Sequence, residues 1–300
     1  MTRHILIAIA LVLTAFCAGA ETRADSLMAQ LLDPGCDKVF VVAHRGDWRN
    51  APENSLQAIA NCIDMGVDMV EIDLKKTRDG HLVLMHDKTI DRTTSGKGLA
   101  QDYTLAELKA IALRNGAGHR TAHTVPTLEE AMLLAKGRIL VNIDKGYDYF
   151  DEVREVLRRT GTAGQCVIKA DRPYDTVRRE KPAALDSMLF MPVVNLAGDE
   201  AEKTIDDYSR QLRPQLYELV FGSDGERTVA LIERARRDGA KLFVNSLWPE
   251  LCGGHDDDRA VERHEADESW GWIIARGARL IQTDRPAALL RYLRARGMHE

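Results

Sequence analysis

No stretch of this 300-residue chain supplies the twenty or so consecutive apolar residues that a membrane-spanning helix needs. The longest apolar run, residues 5–16, is too short. It follows the polar, basic start Thr2-Arg3-His4, precedes the small residues Ala18-Gly19-Ala20, and gives way at once to Glu21-Thr22-Arg23-Ala24-Asp25. That order reads as a cleavable export signal over residues 1–20, which predicts a soluble periplasmic or extracellular protein with no stable membrane anchor. Cys17 follows the bulky Phe16 and reads as part of that signal rather than as a lipid attachment site. A basic tail and low-complexity blocks are also missing. With a net charge of −5, nucleic acid is not an expected partner. Cysteine is scarce. Beyond the signal only Cys36, Cys62, Cys166 and Cys252 remain, too widely spaced for a zinc ribbon. Export would permit disulfides, and Cys36 with Cys62 is the expected pair because both lie near the first strand and helix. No break in composition marks a second domain, so residues 21–300 read as one.

What is present is a repeat of short apolar runs separated by helix-like segments. Eight runs can be counted, at residues 39–43, 69–73, 139–144, 166–169, 189–194, 216–221, 242–246 and 279–282. Most lack polar/apolar alternation, as parallel strands covered by helices should. Between them apolar residues return every three or four positions, as in Leu56, Ile59, Ala60 and Ile63, or Val229, Ile232 and Ala235. Thr127 with Glu130 forms a helix-start signal, and Gly66, Gly137, Gly161 and Gly239 follow helix ends. Eight strand-then-helix units predict a closed (β/α)8 barrel, with an open doubly wound sheet as the alternative. Residues 75–125 break the repeat. They read as an insertion after the second strand, with a hairpin at Asp79-Gly80 and a helix over residues 104–113.

Chemistry-bearing residues cluster at the carboxyl ends of the predicted strands, where such barrels gather their loops into one site. His44-Arg45 follows the first strand: an imidazole exchanges protons near neutral pH, and a guanidinium grips phosphate. Glu71 and Asp73 end the second strand. Two positions apart, they point to the same side, into the barrel mouth, where repulsion makes them costly unless a cation lies between. One hard divalent ion, Ca2+ or Mg2+, suits those oxygen ligands, while salt bridges to Lys75, Lys76 or Arg45 are the alternative. His86-Asp87 adds a second imidazole, so one group is available to activate a hydroxyl and another to protonate a leaving oxygen. His81, His119, His123, and His255 beside Asp256-Asp257-Asp258 carry no comparable signal. The three aspartates read as a solvated helix start.

The blocks VVAHRGDWRNAPENS, VEIDLKKTRDGHLVLMHD and IDRTTSGKG, residues 41–98, are similar in order and spacing to the signature of glycerophosphodiester phosphodiesterases. Weaker support comes from residues 126–131 and from Thr283-Asp284-Arg285-Pro286. The resemblance implies a (β/α)8 barrel with an insertion after the second strand, and hydrolysis of glycerophosphodiesters to an alcohol and glycerol 3-phosphate. It implies that His44 and His86 are the acid/base pair, Arg45 a phosphate contact, and Glu71 and Asp73 metal ligands. The third strand departs from the family pattern of a glutamate with a lysine two positions on, offering Asn142-Ile143-Asp144-Lys145 instead. Asp144 becomes the expected third ligand. Lys145, shifted by one, points elsewhere unless the chain bulges, and Lys169 is the alternative phosphate contact. Trp248 is expected to line the substrate pocket. Two other readings remain open: a lipid phosphodiesterase resembling phosphatidylinositol-specific phospholipase C or sphingomyelinase D, and a non-catalytic exported phosphate-binding protein.

Overall fold

The computed structural model describes residues 21–300, so the export pattern and Cys17 lie outside the described residues. The strands are β1 (Phe40–Ala43), β2 (Met69–Lys76), β3 (Leu82–Leu84), β4 (Ala112–Arg114), β5 (Arg120–Thr124), β6 (Leu140–Asp144), β7 (Cys166–Ala170), β8 (Leu189–Asn195), β9 (Leu216–Val220), β10 (Lys241–Asn245) and β11 (Ala278–Thr283). All eight expected runs are strands. They pair in parallel in the order β1-β11-β10-β9-β8-β7-β6-β2, and β2 pairs back onto β1 through Val42↔Met69 and Ala43↔Val70. The sheet is therefore a closed eight-stranded barrel.

Alternation along each strand divides its side chains between two cores. Val41, Ala43, Val70, Ile72, Val141, Ile143 and Ile281 face outward into the helices. One helix, Leu56–Met65, presents Ala58, Ile59 and Cys62 and ends on Gly66 at φ 82°, a left-handed cap that glycine adopts without a Cβ penalty. Phe40, Val42, Met69, Leu140, Val167, Met191, Leu216, Phe243 and Leu280 fill the barrel interior.

A helix the sequence reading did not anticipate, Arg23–Leu32, closes the amino-terminal end of the barrel. Its Ala24, Leu27 and Leu31 join that interior cluster. Arg23 donates to the carbonyls of Gly66, Val67 and Arg138, and Lys241 Nζ to those of Leu31 (3.0 Å) and Asp33 at the helix's carboxyl end. Lys241 thus satisfies carbonyls that the helix itself cannot pair.

Fully buried Asp68 holds the short β1–β2 seam at the same end. Its Oδ2 accepts the Val41 N–H (2.8 Å) and bonds His299 Nε2 (2.8 Å), and its Oδ1 lies 2.8 Å from Lys38 Nζ. Burial opposes its charge, but His299 and Lys38 outweigh burial and hold its carboxyl below the ordinary aspartate value. Its stabilising contribution is therefore present above the unfolded-state value and is lost as pH falls through the lower folded one. Asp68→Ala should cost about 3 kcal/mol at neutral pH, leaving Lys38, His299 and the Val41 N–H without their acceptor, and should flatten the acid limb of stability against pH. Urea unfolding across pH 3–7 measures both.

The insertion forms where expected. β2 runs on into an antiparallel pairing with β3 across a turn closed by Gly80, and a separate small core of Val83, Met85, Ile90, Leu108, Leu113 and Val125 supports it. Its helix is shorter than residues 104–113: Leu105–Lys109 starts on the Thr104/Glu107 capping box and stops. Residues 112–114 become β4 instead, held on one side by β5 and on the other by bonds to Thr93 and Ser95, so tertiary pairing overrides the local period. The expected Cys36–Cys62 bridge is also corrected, because all four described cysteines are free. Cys62 is buried on the inward face of its helix, acting as a small apolar residue, whereas half-buried Cys36 lies in the segment before β1.

Candidate active site

One step above the apolar interior, the same inward positions turn polar. β2 passes from Met69 to Glu71 and Asp73, β6 from Leu140 to Asn142 and Asp144, β7 from Val167 to Lys169, and β9 from Leu216 to Glu218. All but Asp144 are buried, at the carboxyl mouth of the barrel. Glu71, Asp73 and Asp144 each offer an oxygen within 4.8 Å of the others. Asp73 pairs with Lys145 (2.9 Å) and Arg45 (3.6 Å), and Asp144 lies 3.9 Å from Lys169, but Glu71 is not neutralised by its neighbours. Glu71 has no ion-pair partner among the described residues and accepts only the Arg45 N–H (2.9 Å). Burial, then Asp73 and Asp144, push its carboxyl well above the ordinary glutamate value. Asn142, paired with Glu71 in the β2–β6 register, is buried with neither amide atom bonded. Three converging hard oxygens with an orphaned amide beside them are consistent with a divalent cation site. Asp73 is differently placed: burial opposes its charge, but Lys145, His86 and Arg45 prevail and lower it to about 2.

Three non-glycine residues around these acids have left-handed backbones: Arg45 (φ 54°), Asn54 (φ 55°) and Lys145 (φ 59°). Each costs about 1 kcal/mol or more, which packing must offset. The left-handed turn at Lys145 directs its side chain toward the acids. It brings Nζ to 2.9 Å from Asp73 Oδ1 and 3.1 Å from the His86 carbonyl. Lys169 lies lower, its charge committed to Glu218 (3.0 Å), with Asp144 at 3.9 Å. Asn54 clamps Asp73, donating to Oδ2 (2.9 Å) and accepting the Asp73 N–H (3.1 Å).

Both expected histidines stand at this mouth, each backed by a carboxylate. His44 Nδ1 lies 2.8 Å from Asp284 Oδ1, and its Nε2 accepts from Arg45 Nε (3.1 Å), so Nδ1 carries the proton. Asp284 also accepts Trp48 Nε1 (2.6 Å). Burial works against its charge, but His44 and Trp48 keep it below the ordinary aspartate value. His86 Nδ1 lies 2.6 Å from Asp87 Oδ1. Arg92 grips Asp87 (2.7 Å) and holds its carboxyl far below the usual range, then reaches Glu53 (2.6 and 2.8 Å), which pairs with Arg45 (3.1 Å). A continuous polar chain therefore joins the two imidazoles through Asp87, Arg92, Glu53 and Arg45.

Sequence reasoning gave no role to Glu53, Asn54, Arg92 or Asp284, although all lie in the motif blocks. Asp284, directly after the last strand, carried a positional signal like that of His44. Trp248 stands edge-on to His44 with ring centroids 6.2 Å apart. With His44, Arg45, Trp48, Arg114 and Asp284 it lines a cavity of ≈370 Å³. His123 lies on β5, His119 just before it and His81 in the β2–β3 hairpin, none of them lining that cavity.

A family profile described only as a domain of unknown function matches residues 190–293. Among curated proteins, a glycerophosphodiester phosphodiesterase of Caldanaerobacter subterraneus subsp. tengcongensis is 30% identical over 273 residues, covering 87% of this chain and 100% of that protein. Among solved structures, a glycerophosphoryl diester phosphodiesterase from Parabacteroides distasonis superposes with a TM-score of 0.74 at 23% identity, covering 91% of this chain and 92% of the other. A phosphodiesterase of Oleispira antarctica, solved with the product sn-glycerol-3-phosphate, superposes at TM-score 0.62 and 19% identity, over 86% of this chain and 97% of the other. The barrel is shared with both structures. Because the identity to the first of these proteins runs along its whole length, this chain belongs to the glycerophosphodiester phosphodiesterase family.

Proposed function

We propose that this protein hydrolyses glycerophosphodiesters to an alcohol and glycerol 3-phosphate, using one divalent cation and the His44/His86 pair. The observation that carries the reading is the Glu71–Asp73–Asp144 cluster beside two carboxylate-backed imidazoles at one barrel mouth. Glu71, Asp73 and Asp144 would hold Ca2+ or Mg2+, which when bound supplies positive charge against the phosphate as negative charge builds on it. Arg45 and Lys145 would share that charge. His86 takes the proton of the attacking hydroxyl at Nε2, while Asp87 supports the resulting imidazolium. His44, after gaining a proton from solvent at Nε2 in place of the Arg45 contact, protonates the departing alkoxide, and Asp284 fixes its ring. The attacker is water, or a neighbouring hydroxyl of the substrate that forms a cyclic phosphate which water then opens to glycerol 3-phosphate.

The decisive assay strips the protein with EDTA and then follows glycerol 3-phosphate release from glycerophosphocholine with Ca2+ or Mg2+ added separately. Activity undiminished by chelation would remove the metal from this reading. Trp248 is 43% exposed and forms a wall rather than core. Trp248→Ala should therefore raise KM about fivefold with kcat unchanged, the loss of about 1 kcal/mol of aromatic contact. We also place the protein outside the cytosol, on the export pattern of residues 1–20. Amino-terminal sequencing of the protein recovered from the cell exterior or periplasm tests this, and an intact Met1 would refute it.

A further inference from the structure

The connection from β10 to β11, residues 246–277, folds over the His44 side of the mouth and carries Asp256-Asp257-Asp258. Read from sequence, these three were a solvated helix start. Asp256 caps the helix, accepting the N–H groups of Asp258 and Arg259, but is buried rather than solvated, and only Asp258 is exposed. Asp257 is 1% exposed, with no ion-pair partner among the described residues. Four donors converge on its carboxylate. Ser246 Oγ (2.6 Å) and Trp270 Nε1 (2.9 Å) meet Oδ1, while Thr283 Oγ1 (2.8 Å) and the Asp284 N–H (2.7 Å) meet Oδ2.

A buried carboxylate without a counter-ion is expensive, and loop anchoring alone does not call for one. Four such contacts suit one, because a carboxylate accepts on both oxygens, whereas an asparagine would turn its NH2 toward two of them. The bond with the most direct consequence is to the Asp284 N–H. It fixes the peptide from which the Asp284 side chain reaches His44 Nδ1 at 2.8 Å. We propose that Asp257 is a positioning residue for the reaction: it holds Asp284, and through Asp284 sets the ring orientation and tautomer of His44. The inference rests on the acid/base reading of His44.

The test is a double-mutant cycle of Asp257→Asn and Asp284→Ala, assayed on glycerophosphocholine, with thermal unfolding recorded for each variant. Asp257→Asn should lower kcat about 10- to 100-fold with KM unchanged, the scale on which small misplacements of a reacting group are felt. In the Asp284→Ala background it should lower kcat no further. Multiplying effects, or a change in KM alone, would overturn the inference. If Asp257→Asn does not fold, Thr283→Val replaces it. That change removes one donor to Oδ2 and should lower kcat about three- to tenfold, again only while Asp284 is present. A His44→Ala arm separates the two ideas. Full activity there defeats the acid/base reading, whereas an impaired His44→Ala with a multiplicative cycle defeats only the role of Asp257.

Discussion

Replacing His86 with alanine should lower kcat on glycerophosphocholine by roughly 10²- to 10⁴-fold without lowering the unfolding temperature. The stability half follows from placement. His86 follows β3 at the rim with its side chain 36% exposed, and among the described residues its ring bonds only to the neighbouring Asp87, so its removal opens no core cavity. The activity half follows from Asp87, which Arg92 holds against Nδ1, while Nε2 of His86 has no hydrogen-bond partner among the described residues. A ring fixed at Nδ1 and open at Nε2 is prepared to exchange a proton with something absent from the free protein. If the alanine variant keeps full kcat with intact fold, proton transfer at this ring is excluded. His44→Ala should lose activity on the same scale.

Glu71→Gln should abolish metal-dependent activity, roughly 10³-fold or more, without destabilising the metal-free protein. In the EDTA-stripped state burial and the two neighbouring carboxylates favour the protonated form of Glu71, which glutamine imitates in shape and charge. A carboxyl raised in the folded state contributes stability that is full below its unfolded value, near 4.5, and is lost as pH rises through the raised one. The stripped wild type should therefore lose stability with rising pH over that window, and Glu71→Gln should lose less. Adding Ca2+ or Mg2+ at a hundredfold excess over its Kd should stabilise the wild type by about 2.7 kcal/mol and the variant by far less. Thermal unfolding at several pH values, with and without the ion, checks both signs. Equal ion stabilisation of the two proteins would take Glu71 out of the metal site.

Much of this arrangement is legible in the sequence because parallel strands buried on both faces write continuous apolar runs, and eight such runs correspond to eight strands. The period of two then places Glu71 and Asp73 on the interior side, and Asn142 and Asp144 follow the same parity on β6. What stays hidden depends on backbone turns and on contacts distant along the chain. Lys145 reaches Asp73 only because a non-glycine residue takes φ 59°, for which its side chain gives no cue. Asp257 looks like one member of a polar triplet, and its burial is decided by Ser246, Trp270 and Thr283, up to 26 residues away. The helix Arg23–Leu32 belongs to no strand-helix unit, so a reading built on that repeat passes over it.

The plug formed by Arg23–Leu32 and the His299–Asp68 bond bring the first and last described segments of the chain to one pole, opposite the mouth. A tether, surface linker or fused partner attached at either of these segments would hold the protein by its base. Its opening would then face the medium from which a small diester must diffuse.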